Sequence, residues 1–237
     1  MNLNEKYVGI EGEGEFVGTP TIFLRLQGCN LQCEWCDSKY SQEKTPVSAN
    51  QIGHSFDLKE LIAWINSFSQ CYHLSITGGE PLLQYKDLIR FLSFIKPRFT
   101  NIETNGSLYK IVGNKVHDIH YWSVSPKLHL WKKDSDESYR RSIRAMTRNL
   151  IGKIQLKIVM DSAETTDLTC MLNYLQPLHN IPIYIVPCWR ELADYAHSCR
   201  AVIEKLTHYH IFDKFPNANI KILPQVHKFI YGNERGK

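Results

Sequence analysis

The sequence predicts an α/β fold in which βα units surround a parallel sheet. Short segments rich in β-branched and aromatic residues alternate with longer segments of helical period, which is typical of such units. Polar motifs that contain glycine or proline follow several of the short segments, at the strand ends where barrel-like βα folds assemble their active sites. With 237 residues, the chain is long enough for one substantial core and short for two, so we expect one domain.

The strands are predicted where β-branched and aromatic residues concentrate. They are Thr21–Leu26, His73–Thr77, Asn101–Glu103, Tyr121–Val124, Ile154–Val159, Ile183–Val186 and Asn219–Leu223. The helices expected between them are Leu58–Phe68, a segment around Leu88–Ile95, Tyr139–Asn149, Thr166–Leu175 and Leu192–His208. In the first two helices the apolar residues recur on one face, as a helix that covers a sheet requires. Residues 39–54 are polar and lack a clear period, which predicts an irregular insertion.

The composition excludes several classes of protein. Hydrophobic residues make up 43% of the chain and charged residues 22%, which is ordinary for a globular protein. The sequence contains no apolar run of about 18 residues, so we expect no membrane span. A net charge of +4 is small for a nucleic-acid-binding protein, and we expect no direct nucleic-acid partner.

A basic stretch requires separate consideration, because three of its four arginines lie along one face of a helix. The four are Arg140, Arg141, Arg144 and Arg148, and the three that share a face are at 140, 144 and 148. Such a stripe can contact phosphate groups. However, Asp136 and Glu137 precede it, as expected in the first turn of an exposed helix. No aromatic residues that could stack on bases accompany it, so the pattern favours a solvated face over an RNA contact.

Three cysteines dominate the chemistry of the sequence. Cys29, Cys33 and Cys36 lie within Gly-Cys-Asn-Leu-Gln-Cys-Glu-Trp-Cys-Asp and supply three thiolates to one centre, with no fourth ligand nearby. A structural zinc site uses four closed ligands, and neither His54 nor the other cysteines form a second paired motif. Iron–sulfur ligation therefore fits better, with one iron left open. The seven cysteines, without a recognisable signal segment, predict a reducing, cytoplasmic location.

Two motifs resemble those of radical S-adenosylmethionine (SAM) enzymes. The Cys-x-x-x-Cys-x-x-Cys spacing, with Trp35 before the last cysteine, resembles their cluster loop, and Thr77-Gly78-Gly79-Glu80-Pro81 resembles their Gly-Gly-Glu-Pro element. The run from Gly9 to Tyr40 is similar to the N-terminal signature of the 7-carboxy-7-deazaguanine synthase (QueE) family. The similarity extends through Glu-Thr-Asn-Gly at 103–106, Val-Ser-Pro-Lys at 124–127, Leu-Pro-Gln-Val-His-Lys at 223–228 and Tyr-Gly-Asn-Glu-Arg-Gly at 231–236.

The resemblance implies one radical SAM domain over residues 1–237, folded as a partial (β/α) TIM-like barrel. Its cluster loop is expected at 28–38, the irregular insertion at about 39–54 and a C-terminal active-site segment at about 219–237. The implied enzyme is a lyase of queuosine-type biosynthesis, which converts 6-carboxy-5,6,7,8-tetrahydropterin to 7-carboxy-7-deazaguanine and ammonia. The implied cofactors are a [4Fe-4S] cluster, SAM and Mg²⁺. A flavodoxin-like or ferredoxin-like electron donor, a homodimer and a cytoplasmic location are also implied.

The same resemblance assigns roles to individual residues. It implies that Cys29, Cys33 and Cys36 hold the cluster, that Arg25 clamps the substrate carboxylate, and that Ser38 binds Mg²⁺; Arg25 and Ser38 are the catalytic candidates. The other residues implied to contact substrate are Ile10, Glu11, Gly12 and Thr77. Those implied to bind SAM are Trp35, Cys36, Asp37, Gly79, Ser125, Pro126 and Lys127.

The chain departs from the family pattern at two places. Glu11 stands where family members usually have glutamine, which places a carboxylate near an anionic substrate. Ile185-Val186-Pro187-Cys188 stands where Leu-Gln-Pro or Leu-Gln-Val is common near a SAM contact.

Two other functions are compatible with parts of the sequence. Another radical SAM enzyme, such as a glycyl-radical-enzyme activase, shares the cysteine spacing but does not account for Arg25, Ser38 and the C-terminal Gln-Val-His-Lys together. A zinc-stabilised RNA-binding module is the alternative from a different class.

Overall fold

The computed structural model describes residues 1–42, 57–96, 98–112, 119–131, 136–188, 195–232 and 234. Most of the insertion predicted at 39–54, including His54, lies outside the described residues. The same holds for the first residues of the helix predicted at Leu192–His208 and for part of the predicted C-terminal segment.

The described strands form one eight-stranded sheet, in which neighbours in sequence are neighbours in space. The strands are β1 (Leu3–Ile10), β2 (Pro20–Leu26), β3 (His73–Gly78), β4 (Phe99–Thr104), β5 (Tyr121–Val124), β6 (Ile154–Met160), β7 (Pro182–Pro187) and β8 (Asn219–Ile222). β1 is antiparallel to β2, and all later pairs are parallel. All seven predicted strands are present, and β1 is an additional strand at the edge.

Seven α-helices are described in the same part of the chain. They are α1 (Leu58–Ser67), α2 (Tyr85–Leu92), α3 (Glu137–Asn149), α4 (Thr165–Leu175), α5 (Tyr195–His208), α6 (Ile211–Lys214) and α7 (Val226–Tyr231). Asp57 and Asp136 begin α1 and α3 by accepting backbone N–H bonds from Lys59 and Ser138, both at 2.8 Å. The five predicted helices are present, whereas the short α6 and α7 were not predicted. None of the described helices is long and apolar enough to cross a membrane.

The basic stretch lies on α3, and its side chains do not form one solvated stripe. The guanidinium of Arg140 lies over the Trp131 ring at 5.8 Å, and that of Arg144 lies over the Tyr174 ring at 5.0 Å. Arg141 and Arg148 are exposed. Two of the four arginines therefore cover aromatic rings of the protein itself, and two face solvent.

The parallel sheet has one apolar and one polar face. Side chains such as Ile76, Ile102 and Leu156 are fully buried in the core with residues of the helices. Alternate positions on the same strands are polar although most are buried, because successive side chains of a strand point to opposite faces. Asn101, Ser123 and Gln155 form a hydrogen-bonded row on the polar face, with distances of 2.9 Å and 2.6 Å between neighbours.

The connection between β1 and β2 crosses the polar face and forms a floor. Phe16 packs at 4.8–5.2 Å against three rings at the first residues of β3, β4 and β5, His73, Phe99 and Tyr121. On β7, the Tyr184 hydroxyl donates to Glu15 of the same connection. One short loop can contact β3 and β7 only if the sheet curves around it. Among the described residues no ladder joins β8 to β1, so the barrel is open.

Candidate active site

The polar face, the floor connection and the strand-end loops enclose a cavity of about 760 Å³. Nearly all of the site residues expected from the sequence line this cavity. They are Ile10, Glu11, Gly12, Arg25, Cys29, Cys33, Trp35, Cys36, Asp37, Ser38, Thr77, Gly79, Ser125 and Lys127. Pro126 is buried in the turn after β5 and does not line the cavity. At the end of β7, Cys188 lines it and the fully buried Val186 does not.

The cysteine loop follows β2 and is held by backbone hydrogen bonds. The N–H groups of Gly28 and Cys29 donate to the carbonyls of Ser41 and Gln42 at 2.8 Å and 3.1 Å. Within the loop, the N–H of Leu31 donates to Cys29 Sγ at 3.4 Å. These hydrogen bonds hold the loop backbone in place, and the loop presents its three thiols to the cavity.

Two glycines after β3 allow the cysteine loop to pack closely against the next strand end. Gly78 has φ +119°, and a Cβ there would collide with the backbone of Leu26. A Cβ at Gly79 would collide with the carbonyls of Gly28 and Ser41. The N–H of Gly79 donates to Leu26 O at 3.0 Å. These glycines are thus required by loop packing, and Gly79 still borders the cavity.

Glu80 of the same motif fastens two strand ends together. Its side chain is fully buried and accepts hydrogen bonds from Thr104 Oγ1 at 2.7 Å, Asn105 N at 2.8 Å and Leu82 N at 3.0 Å. Burial raises the pKa of this carboxyl, while the three hydrogen bonds act in the opposite direction. Glu80 therefore joins the turn after β3 to the turn after β4.

The donor set of the cysteine loop fits an iron–sulfur cluster. All three thiols are free and partly exposed. Among the described residues, no three His, Cys, Asp or Glu side chains converge closely enough to hold a single metal ion. A cubane is larger than one ion and binds each thiolate at a different corner, so three thiolates of one loop can hold it and leave one iron open. Burial raises the pKa of the Cys29 and Cys33 thiols, so cluster binding must displace protons there.

Ser38, Ser125 and Lys127 border the cavity near the cysteine loop. Ser38 Oγ donates to Asp37 Oδ1 at 3.2 Å and lies 3.8 Å from Cys36 Sγ. Lys127 Nζ donates to Ser125 Oγ at 2.9 Å. The turn that carries the last two residues is fixed by the Tyr139 hydroxyl, which accepts from Lys127 N at 2.8 Å.

Arg25, on the polar face of β2, is held by residues of β1. Its Nε donates to Glu5 Oε1 at 2.7 Å, and Nη2 donates to the Tyr7 hydroxyl at 3.2 Å. Tyr40 also donates to Glu5 Oε1, at 2.9 Å. Burial lowers the pKa of Arg25, but Tyr7, Tyr40, Asp37 and Glu5 outweigh it and keep the guanidinium charged. Sequence reasoning missed Glu5 and Tyr7 because it did not predict β1.

A buried charged cluster lies between the floor and the polar face. Lys157 Nζ lies 2.6 Å from Glu13 Oε2 and 3.0 Å from Glu103 Oε1. Thr77 Oγ1 donates to Glu103 Oε2 at 2.8 Å, and Gln225 Nε2 donates to Glu13. We call Glu11, Glu13, Glu103 and Lys157 the floor cluster. Its residues come from three parts of the chain, and only the fold shows that they meet.

The floor cluster shifts the pKa values of its members in opposite directions. For Glu13, burial acts to raise the pKa, but Lys157, His227 and Gln225 outweigh it and lower the value to about 2. For Lys157, burial acts to lower the pKa, but Glu103 and Glu13 raise it above its usual range. For Glu11, burial and then Glu103 raise the pKa to about 8. Lys157 is therefore charged at neutral pH and Glu13 ionised.

Replacing Lys157 by methionine is expected to destabilise the protein. Glu13 and Glu103 would then lie close together in a buried site without their cation, which typically costs about 3–5 kcal/mol of unfolding free energy. Urea unfolding of the metal-free protein measures this change. The matched control is Lys153→Met, because Lys153 is exposed. Adding Glu13→Gln to Lys157→Met should restore part of the loss. An unfolding free energy equal to that of the control would contradict the described ion pairs.

The chain resembles several known proteins in sequence. Residues 10–145 match the family of 4Fe-4S single cluster domains. A 7-carboxy-7-deazaguanine synthase of Thermoplasma acidophilum is 28% identical over 244 residues, covering 100% of both chains. One of Halobacterium salinarum is 36% identical over 130 residues, which cover 54% of this chain and 46% of the relative. The chain thus spans about half the length of the latter relative.

Among solved structures, QueE from Escherichia coli has a TM-score of 0.62 and 23% identity, over 95% of this chain and 94% of that one. This likeness confirms the predicted fold, an α/β partial barrel. Both relatives are named 7-carboxy-7-deazaguanine synthase, which confirms the family resemblance seen in the sequence motifs.

Proposed function

The chain belongs to the family of 4Fe-4S single cluster domains, and on this premise we propose that it is a 7-carboxy-7-deazaguanine synthase. The reaction is the radical SAM conversion of 6-carboxy-5,6,7,8-tetrahydropterin to 7-carboxy-7-deazaguanine and ammonia. One observation carries the proposal: the three-thiol loop and the anchored Arg25 open onto the same cavity. The relative from Thermoplasma acidophilum, aligned over both full lengths, bears the name of this enzyme.

The cysteine loop would hold the cluster and, beside it, SAM. When bound, the cluster and SAM supply a 5′-deoxyadenosyl radical for hydrogen abstraction from the substrate. The residues proposed to contact SAM are Trp35, Cys36, Asp37, Gly79, Ser125 and Lys127. The Ser125 hydroxyl and the Lys127 ammonium, which bond each other at 2.9 Å, are suited to ribose and carboxylate oxygens. Pro126, buried in the turn between them, would contribute by fixing that turn.

Arg25 would bind the substrate carboxylate. A guanidinium has five N–H donors. Glu5 and Tyr7 each accept from one of them in the described part of the chain, so the remaining donors are available to the ligand. Because both partners belong to β1, the guanidinium is oriented before the ligand arrives, which lowers the entropic cost of binding. Ile10, Glu11, Gly12 and Thr77 would contact the pterin ring from the floor and from β3.

Ser38 would bind Mg²⁺ at the edge of the cysteine loop. Its hydroxyl lies 3.2 Å from Asp37 Oδ1, so a hydroxyl and a carboxylate oxygen are available together. Mg²⁺ prefers oxygen ligands and usually keeps several waters, so one or two protein oxygens and the substrate suffice. We also propose that the electron donor is flavodoxin-like or ferredoxin-like, and that the enzyme is a cytoplasmic homodimer.

Turnover with the named substrate tests the proposed function. Anaerobic reconstitution with iron and sulfide should give a brown protein. After reduction, SAM, Mg²⁺ and 6-carboxy-5,6,7,8-tetrahydropterin should yield 7-carboxy-7-deazaguanine and ammonia, detected by mass spectrometry. Formation of 5′-deoxyadenosine without any deazaguanine would contradict this reaction but leave a radical SAM enzyme. A colourless protein that holds one tightly bound zinc ion would contradict both.

A further inference from the structure

Glu11 has a buried oxygen without a hydrogen-bond partner. The residue is 4% exposed and lines the cavity. The N–H of Gly12 donates to Glu11 Oε1 at 3.2 Å, but Oε2 has no hydrogen-bond partner among the described residues. A buried polar atom without a hydrogen-bond partner destabilises the protein, because the atom loses its bonds to water and gains none in return. Because Glu11 lines the binding cavity, a bound ligand can supply the partner that this oxygen lacks.

The charges around Glu11 determine its protonation state. Lys157 lies within 3.0 Å of both Glu13 and Glu103, so the two carboxylates share its charge. Glu11 is repelled by the same two carboxylates. Lys157 also attracts Glu11, but the two form no ion pair among the described residues, and Glu103 acts on Glu11 more strongly. The His227 ring, which lines the same cavity, lies against Gly12. In a buried group of three carboxyls and one ammonium, repulsion favours a proton on the carboxyl that forms no ion pair with the ammonium.

We propose that Glu11 is a substrate-binding hydrogen-bond donor, whose Oε2 hydroxyl bonds an acceptor atom of the bound ring. This inference rests on the proposed function, since the ring is that of a carboxylated pterin. The acceptor class is a carbonyl oxygen or an unprotonated ring nitrogen. A neutral carboxylic acid is compatible with an anionic substrate, whereas a carboxylate would repel it.

The opposite arrangement makes a different prediction. An ionised Glu11 would accept hydrogen bonds from amino or ring N–H groups of the ligand. Its contribution to affinity would then be constant or would grow as pH rises. A neutral Glu11 loses its donor as pH rises through its pKa, which burial and Glu103 place at about 8. Affinity would then fall at alkaline pH, because only the protonated fraction of the protein binds fully.

Equilibrium binding at two pH values separates these arrangements. The probe is 6-carboxy-5,6,7,8-tetrahydropterin, titrated calorimetrically into the unreduced holoprotein with SAM and Mg²⁺, so that no turnover occurs. Glu11→Gln is the matched variant, because its amide keeps a donor at every pH. Between about pH 7 and about pH 9, the wild-type Kd should rise about tenfold more than that of Glu11→Gln. The variant also retains His227 and the titration of the ligand, so those effects cancel.

The outcomes distinguish the inference from the proposed function. Tight wild-type binding with parallel pH profiles for both proteins would overturn the donor role of Glu11 and leave the enzyme assignment intact. A variant that binds weakly at neutral pH while the wild-type Kd does not rise at alkaline pH would also overturn it, in favour of an ionised Glu11. No binding by the wild-type protein would remove the inference together with the proposed function.

Infrared spectroscopy gives a second readout that does not depend on the ligand. The ligand-free wild-type protein at neutral pH should show a protonated-carboxyl C=O band that is absent from Glu11→Gln. The band should shift to lower frequency when the pterin binds, because a donated hydrogen bond weakens the C=O bond of the same acid group. Identical spectra for the two proteins at neutral pH would overturn the donor role.

Discussion

Replacing Cys33 by alanine is expected to abolish cluster binding and turnover. Cys29, Cys33 and Cys36 are the three thiols of the cysteine loop that border the cavity, and they are the proposed protein ligands of the cluster. Loss of one thiolate leaves a cubane with two protein ligands, and a soft thiolate has no equivalent among neighbouring oxygen donors. After anaerobic reconstitution, iron content and brown absorbance should fall to background, and deazaguanine formation should fall below detection.

Cys170→Ala is the matched control for this experiment. Cys170 is a free, exposed cysteine on α4, so its removal changes the thiol count without affecting the cavity. The control should keep the iron content and turnover of the wild-type protein. Full iron loading of Cys33→Ala, with a spectrum like that of the control, would show that Cys33 is not a ligand. The cluster would then have to be reassigned to other donors.

The sequence was most informative where local pattern determines structure. The seven parallel strands were predicted because β-branched and aromatic residues concentrate in them, as in the fully buried Ile76 and Leu156. β1 was missed because Leu3–Ile10 is an edge strand whose side chains are mostly only partly buried, so its sequence shows no clear alternation. That omission also hid Glu5 and Tyr7, the residues that orient Arg25.

The floor cluster could not be predicted from the sequence for a different reason. Lys157 was placed within a strand and Glu103 at a strand end, but neither position shows which acidic groups surround the lysine. Glu13 reaches Lys157 because the connection after β1 turns back under the sheet, and Gly14 on this path has φ +71°. Pairings of this kind depend on the curvature of the whole sheet, which no local pattern encodes.

The Gly78-Gly79 pair has a packing role in the protein in addition to its proposed ligand contact. The resemblance of this motif to the Gly-Gly-Glu-Pro element implies that Gly79 binds SAM. The structure shows that both glycines are already required by the protein itself, because a Cβ at either position would collide with backbone atoms of β2 or the cysteine loop. Gly79 also lines the cavity, so the ligand contact remains a proposal that the packing does not contradict.

Replacing Arg25 by alanine is expected to preserve the cluster and to weaken productive substrate binding strongly. The guanidinium is partly buried and charged, and its loss removes a charge-assisted, bidentate contact to the substrate carboxylate. Truncation of one partner of such a pair typically costs 2–5 kcal/mol, so kcat/KM should fall by about 30-fold to about 4,000-fold. Steady-state deazaguanine formation measures this fall, while iron content and the cluster spectrum should equal those of the wild-type protein.

Three further variants test whether the loss of turnover is specific to the Arg25 guanidinium. Arg25→Lys keeps the charge but loses the planar fork, so its kcat/KM should lie between those of wild type and Arg25→Ala. Glu5→Gln keeps Arg25 but weakens its anchor, so its loss should be smaller than that of Arg25→Ala. Arg148→Ala removes an exposed arginine on α3 and should leave turnover unchanged. A kcat/KM of Arg25→Ala equal to that of the wild-type protein would contradict the proposed contact between Arg25 and the substrate carboxylate.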